Sequence, residues 1–378
     1  MGVSQKAGRL ARNLGISELQ AQLLTNRGIP DKISAGKFLR PRLSEIADPM
    51  LLVDMASATN RILHAIEHRE GITVYGDYDA DGLTATALLG NFFHRLGVPV
   101  RTYVPNRLHE GYGLNPLAVR RIAEQGGGLI LTVDCGISGG EEIALAKSLG
   151  MDVIVTDHHR IPKDFHALCP VINPHRPDCR FPFKGLAGVG LAFFLAVSVR
   201  AALREKGWFT KGGEPDLRNY LDLVALGTLA DRVPLLDQNR ILTKHGMRAL
   251  KVTHWEGLKA LKSVAGIHDR GLTTEDLVYR IAPHLNAPGR MDGPQAVMDL
   301  LTVDDPAKAR HLAQRISDIN SQRQRVEKVI CHEIEAQMED EQQGRPVLVC
   351  AGEGWHPGVL GIVAARLVDR FYRPSLVF

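Results

Sequence analysis

The chain has 378 residues, 44% hydrophobic and 23% charged, an ordinary balance for a globular protein with room for about two to three domains. That composition excludes a disordered, collagen-like or coiled-coil chain, and no run reaches the ~18 uninterrupted apolar residues of a membrane span. Lys and Arg number 46 against 42 Asp and Glu, a net +4 that neither announces nor excludes nucleic acid.

The N-terminal run MGVSQKAGRLARNLGI has no apolar signal core, and Met1-Gly2 is discounted as a lipidation signal. The five cysteines (Cys135, Cys169, Cys179, Cys331, Cys350) form no CxxC pair, so a reduced, cytoplasmic protein without membrane partners is expected. Residues 1–50 read as short helices punctuated by Pro30, Pro41 and Pro49. From 54 to 68, Met55, Ala58, Ile62, Ala65 and Ile66 recur at helical spacing.

The period then changes. Residues 71–75 form a β-rich run, and a polar stretch follows from Gly76 to Gly82. A helix over 83–96 stops at Gly97. Strands over 98–104, 129–133 and 153–155 alternate with helices over 117–124 and 140–149. This predicts an α/β fold, a mostly parallel sheet with helices on both faces. Beyond 160 the chain is Pro-rich, then Gly-rich at Gly185, Gly188 and Gly190. Helices are predicted over 189–205 and 217–229, mainly helical structure over 238–300, and one long connecting helix from 306 to about 339, ended by Gln342-Gln343-Gly344. A strand at 346–350 opens a second α/β domain, and RPSLVF reads as a further strand. The expected division is 1–50, 51–305, 306–343 and 344–378.

Gly76-Asp77-Tyr78-Asp79-Ala80-Asp81-Gly82 places three carboxylates directly after a strand. Such carboxylates repel and raise one another's pKa, a conflict that a hard divalent cation removes. An acidic helix start is the other reading of the same residues. Thr132-Val133-Asp134 and Thr156-Asp157-His158-His159 also stand at strand ends, where open α/β sheets bind ligands. Imidazole beside carboxylates points to Mn²⁺ over Ca²⁺. Asp231 follows an apolar helix and is either a further ligand or a surface partner of Arg232.

DYDADG, VDCG, TDHH and ALGTLAD together resemble the successive motifs of the DHH phosphoesterase superfamily. GYGLNP, HLNAPGRM and GWHPGVLGIVA are similar to segments of its RecJ branch, the single-strand-specific 5′-to-3′ exonucleases. The resemblance implies that 51–305 is a catalytic DHH domain and 344–378 a partial, truncated DHHA1 domain. It implies Asp79, Asp81, Asp134, His158 and Asp231 as ligands of two Mn²⁺ or Mg²⁺ ions, with Asp77 a further acidic ligand. His159 would sit near the substrate phosphate, and Asp157 would orient a His from behind. Asp81, Asp134, His158 and His159 would carry the catalysis. Many members have His where this chain has Tyr75, which leaves the first metal site to draw on Asp77.

For the strand itself, Arg107 could contact phosphate and Tyr112 could stack on a base. Arg290 suits a phosphate fork or an inter-domain salt bridge. His356 would reach the scissile region, or Gly358 and Gly361 simply serve a tight strand–helix turn. Arg315, Arg323, Arg325 and Lys328 line either a nucleic-acid path or a solvated helix face. His175, Cys169 and Cys179 match no zinc spacing.

The expected activity is therefore metal-dependent 5′-to-3′ hydrolysis of single-stranded DNA in repair and recombination. A RecQ-type helicase and a single-strand-binding protein are the partners the resemblance implies. A phosphodiesterase of short oligonucleotides or cyclic dinucleotides is the enzymatic alternative, and a silent replication scaffold, as in the Cdc45 relatives, the non-enzymatic one. Because the family continues beyond the segments matched here, the chain is expected to be a fragment that keeps the metal site.

Overall fold

The computed structural model describes residues 5–211, 213–267, 271–341 and 346–378. Met1-Gly2 and the helix end at Gln342-Gln343-Gly344 lie outside the described residues. Five strands, β1 (Gly71–Gly76), β2 (Val100–Tyr103), β3 (Gly127–Val133), β4 (Asp152–Thr156) and β5 (Val171–Ile172), form one sheet in the order β2-β1-β3-β4-β5. Every pairing is parallel.

Alternation along the strands divides the core. Ile72, Val74, Leu129, Leu131, Val133 and Ile154 face one side, and Tyr75, Ile130, Val153 and Val155 the other. Helices Ala80–Arg95, Gly188–Glu205 and Leu221–Ala230 cover the first side. Helices Pro116–Glu124 and Gly140–Ser148 cover the second. The helix at Gly188 opens with GVGLAFFLAVSV, apolar all round, and this stretch is accordingly almost wholly buried. The chain leaves β1 outward to β2, then crosses back to β3. The switch point therefore lies between the carboxyl ends of β1 and β3.

Several predicted boundaries move. The first sheet-covering helix starts at Ala80, not 83, because Asp79 caps it: its Oδ1 accepts the Asp81 and Gly82 amides at 2.9 and 3.1 Å. The helix predicted over 217–229 opens as a 3₁₀ turn, Leu217–Tyr220, before Leu221–Ala230. β5 is a two-residue strand inside the Pro-rich stretch, with no periodicity to announce it.

Downstream, helices Asp237–Lys251, Glu256–Val264, Ala282–Met291 and Gln295–Thr302 lead to the long helix Pro306–Glu341. A π-helical turn, Leu277–Ile281, precedes Pro283. β6 (Leu348–Cys350) and β7 (Ser375–Val377) pair in parallel beside helix Pro357–Phe371. They share a separate small core with Ile330 and Ile334 of the long helix. At the other end, helices Gln5–Leu14, Glu18–Asn26 and Lys32–Leu39 gather their own core around Leu10 and Leu24. Among the described residues no helix is long and apolar enough to cross a membrane.

Candidate metal centre

Three adjacent strand ends deliver the acidic residues to one place. After β1 come Asp77, 4% exposed, then Asp79 and Asp81, the last 1% exposed. A carboxylate buried that deeply needs partners. Asp81 finds them far along the chain: its Oδ2 accepts the Gly188 amide at 2.6 Å and its Oδ1 the Val189 amide at 2.9 Å. These amides open the apolar helix Gly188–Glu205, so the carboxylate sits at the positive end of a helix dipole.

Asp134 leaves β3 in the left-handed region, with φ +60°, and its amide donates to the Thr156 carbonyl of β4 at 3.0 Å. Aspartate tolerates that conformation better than most residues. Gly188 lies directly against it: a Cβ there would fall 2.6 Å from the Asp134 Cβ and 2.7 Å from its Oδ1. Gly227 plays the same part for Asp81, whose Oδ1 lies 2.8 Å from where a Gly227 Cβ would stand. Sequence reasoning passed over both as site residues. The only local signal was glycine inside otherwise apolar helices, which marks close approach.

After β4, Asp157 is 1% exposed and accepts the Ile137 amide at 2.9 Å. It also takes the His159 amide at 3.0 Å and the His159 Nδ1 at 2.7 Å. It thus fixes the His159 ring. His158 points the other way. Its Nε2 lies 3.0 Å from Asp134 Oδ1, 3.6 Å from Asp231 Oδ2 and 3.9 Å from Asp81 Oδ2. Ligand atoms converge to within 4.8 Å in three sets: Asp77, Asp79 and Asp134; Asp81, His158 and Asp231; and Asp134, His158 and His159. Asp134 and His158 each serve two of them.

The electrostatics are those of crowded, dehydrated carboxylates. Burial and then Asp79 push Asp77 up to about 7. Burial and then Asp79 push Asp231 up to about 6. Asp81 rises well above the usual carboxylate range through burial and the charge of Asp231, and Asp134 through burial and the charge of Asp81. Burial, then His159, holds His158 down to about 4, while the hydrogen bond to Asp157 raises His159. Asp77 Oδ1 and Asp134 Oδ1 are buried with no hydrogen-bond donor among the described residues. Hard carboxylate oxygens left bare beside an unprotonated imidazole fit a divalent transition metal or Mg²⁺.

Tyr75 offers no ligand. Its hydroxyl donates to the Gly113 carbonyl at 2.8 Å and accepts from Asn115 at 3.1 Å, inside the opposite core. Asp77 is the residue that joins Asp79 and Asp134. Asp231 is not the partner of Arg232, which makes no ion pair among the described residues; it faces His158 instead.

Around this centre stand the residues expected to touch a strand. Arg107 opens the short helix Arg107–Glu110, with its Cζ 5.4 Å from the centre of the Tyr78 ring. Tyr112 is 54% exposed and lies edge-on to Tyr78, its hydroxyl 3.5 Å from the His159 ring nitrogens. Arg290, on helix Ala282–Met291, is half-buried and makes no salt bridge among the described residues, so the inter-domain ion pair is not its role. His356 caps helix Pro357–Phe371, its Nδ1 accepting the Gly358 amide at 3.1 Å, and Gly358 packs on the Arg290 carbonyl. On the long helix, Arg315 pairs with Asp292, but Arg323 is largely buried rather than part of a solvated face. Cys169, Cys179 and His175 join none of the metal-competent sets found among the described residues.

Residues 71–228 match the model of the DHH family, N-terminal domain. The chain is 40% identical to the single-stranded-DNA-specific exonuclease RecJ of Bacillus subtilis over 373 residues, which is 98% of this chain and 46% of that protein. It is 42% identical to the Escherichia coli exonuclease of the same name over 82% of this chain and 56% of that one. Among solved structures, RecJ of Thermus thermophilus in complex with Mn²⁺ superposes with a TM-score of 0.83 at 29% identity, covering 98% of this chain and 52% of that one. An exonuclease RecJ bound to manganese gives 0.77 at 33% identity, covering 86% and 80%. The chain spans about half the length of the curated relatives it matches.

Proposed function

The chain belongs to the RecJ branch of the DHH family, and we propose that it carries the catalytic part of a metal-dependent exonuclease that removes nucleotides from the 5′ end of single-stranded DNA. One observation carries this reading: Asp77 and Asp134 each keep a bare, buried oxygen, and Asp134 meets His158 at the carboxyl ends of the strands, where open α/β sheets form their ligand crevice. The solved relatives named above hold Mn²⁺.

Two Mn²⁺ or Mg²⁺ ions would be held by Asp77, Asp79 and Asp134 and by Asp81, His158 and Asp231, and His158 Nε2 stands 3.0 Å from Asp134 Oδ1 between the two sets. Bound there, the ions supply an acidified water and offset the charge of the phosphoryl oxygens. The chain's own part is to aim and charge the groups around them. Burial keeps the His158 ring unprotonated at neutral pH, so its Nε2 lone pair is available as a ligand. Asp157 strengthens the hold of His159 on a proton and sets that ring beside Tyr112, where it would face a phosphate oxygen of the strand. Arg107 and Arg290 flank the crevice as further phosphate contacts, and exposed Tyr112 presents a ring face to a base. His356 acts by holding the helix start against Arg290.

We place the protein in the cytoplasm, in DNA repair and recombination, acting on strands delivered by a RecQ-type helicase and a single-strand-binding protein. The test is a manganese titration with 5′-labelled and 3′-labelled single-stranded DNA, and with a dinucleotide for comparison. Mononucleotide release beginning at the 5′ end supports the reading. Hydrolysis of the dinucleotide alone would assign a short-oligonucleotide phosphodiesterase instead. Silence at every Mn²⁺ concentration would leave only a scaffold.

A further inference from the structure

Beside Asp231 the surface sinks into a cavity of about 250 Å³ whose polar lining is Arg232, Asn286, Arg290 and Arg323, with Val278 and Ile362 among its apolar walls. The three guanidinium groups arrive from different elements: the turn after Ala230, helix Ala282–Met291 and the long helix Pro306–Glu341. No carboxylate among the described residues lines the cavity. Within the same residues, Arg232 and Arg290 make no ion pair.

Arg323 is held otherwise. Its Nη1 donates to Glu327 Oε2 at 2.7 Å and its Nη2 to Asn320 Oδ1 at 2.9 Å. Glu327 is fully buried, and its other oxygen is paired with Arg366 of helix Pro357–Phe371. A buried carboxylate shared between two arginines fixes the Arg323 fork yet leaves that triad one positive charge in excess. Across the cavity, burial and then Arg107 and Arg323 weaken the hold of Arg290 on its proton. Cations gathered on a partly dehydrated wall, with no carboxylate among the described lining residues, are stabilised by an anion. Guanidinium forks match the oxygens of a carboxylate or a phosphate, and beside a centre read as a nuclease the fitting anion is a phosphate.

We propose that this cavity is a second phosphate subsite, which holds the phosphate of the nucleotide next to the scissile bond, with Glu327 as the positioning residue that fixes Arg323 there. The assignment rests on the nuclease reading, because Asp231 of the metal centre immediately precedes Arg232.

The experiment compares a tetranucleotide with a dinucleoside monophosphate, which carries the scissile phosphate and no other. Arg323→Met should raise the KM ratio of tetranucleotide to dinucleoside by about tenfold, with Arg232→Gln acting in the same direction. Glu327→Gln should raise the ratio alone but add nothing in the Arg323→Met background. Exposed Arg232 can be replaced without risk to the core, so the test survives if the buried variants misfold. In a metal-free anisotropy titration, the slope of log affinity for single-stranded DNA against log salt should become shallower by about 0.7 for each phosphate that the variant no longer neutralises. An unchanged KM ratio and an unchanged salt slope would overturn the subsite. If the unaltered chain hydrolyses neither substrate, the nuclease reading fails, while the salt slopes still decide whether the cavity takes phosphate.

Discussion

His158 Nε2 stands 3.0 Å from Asp134 Oδ1, yet that oxygen accepts no hydrogen bond from the described residues. The two residues leave neighbouring parallel strands, and both belong to two of the metal-competent sets. Asp134→Ala should therefore abolish Mn²⁺-dependent hydrolysis, a loss of about 10³-fold or more, while single-stranded DNA binding largely survives. Nucleotide release and anisotropy measured on the same preparation check this. Full metal-dependent activity in the variant would sink the ligand assignment.

The Asp77 carboxyl is pushed to about 7 by burial and Asp79, against 3.8 in an unfolded chain. Its folded pKa is raised, so its contribution favours folding below pH ~4 and is lost as pH climbs through 7. Three pH units correspond to roughly 4 kcal/mol. Asp77→Asn should accordingly stabilise the metal-free chain at pH 8 and have little effect at pH 4. Urea unfolding in EDTA at the two pH values measures the difference. Equal effects at both would show that Asp77 is not the strained carboxylate.

Metal addition should offset the same repulsion. Saturating Mn²⁺ at a hundredfold excess over its Kd should stabilise the unaltered chain by about 2.7 kcal/mol per independent site. EDTA should reverse the gain, and His158→Ala should diminish it. Thermal melts with and without metal give the comparison. An identical gain in His158→Ala would place the ions elsewhere.

Gly188→Ala tests the packing behind the centre. Its methyl would stand 2.6 Å from the Asp134 Cβ, and the neighbour that must yield is a candidate ligand. Overpacking of this kind costs about 1–3 kcal/mol. Mn²⁺ affinity by calorimetry should fall alongside the melting temperature. Gly190→Ala, whose nearest neighbour would be 3.5 Å away, should do neither.

Local pattern made much of this legible. Ile72, Thr73, Val74 and Tyr75 all favour strands, and that β-rich run marks β1 and the acidic turn after it without any tertiary information. Asp134 and His158 were readable for the same reason, since each ends a β-rich run. What stayed hidden depends on distance along the chain. Nothing near Asp81 announces that its carboxylate is secured by Gly188 and Val189, and nothing near Arg323 announces Glu327 as its buried counterpart across from Arg366. β5 escaped because two residues carry no period. The helix start at Ala80 was set by the cap at Asp79, which outweighed the apolar pattern that begins at Leu83.

The anchorage of Asp81 also has a consequence for how the protein comes into being. A nascent chain released as far as β4 and the turn after it already carries Asp77, Asp79, Asp81, Asp134 and His158, but the amides that hold Asp81 have yet to emerge, and Asp231 is later still. Its carboxylates would remain hydrated and mobile until helix Gly188–Glu205 docks, because among the described residues nothing else offers Asp81 a donor on both oxygens. Competence of the set formed by Asp81, His158 and Asp231 would thus be acquired late in synthesis, once the covering helices have docked on the sheet. Ion uptake by that set would report that the domain has closed.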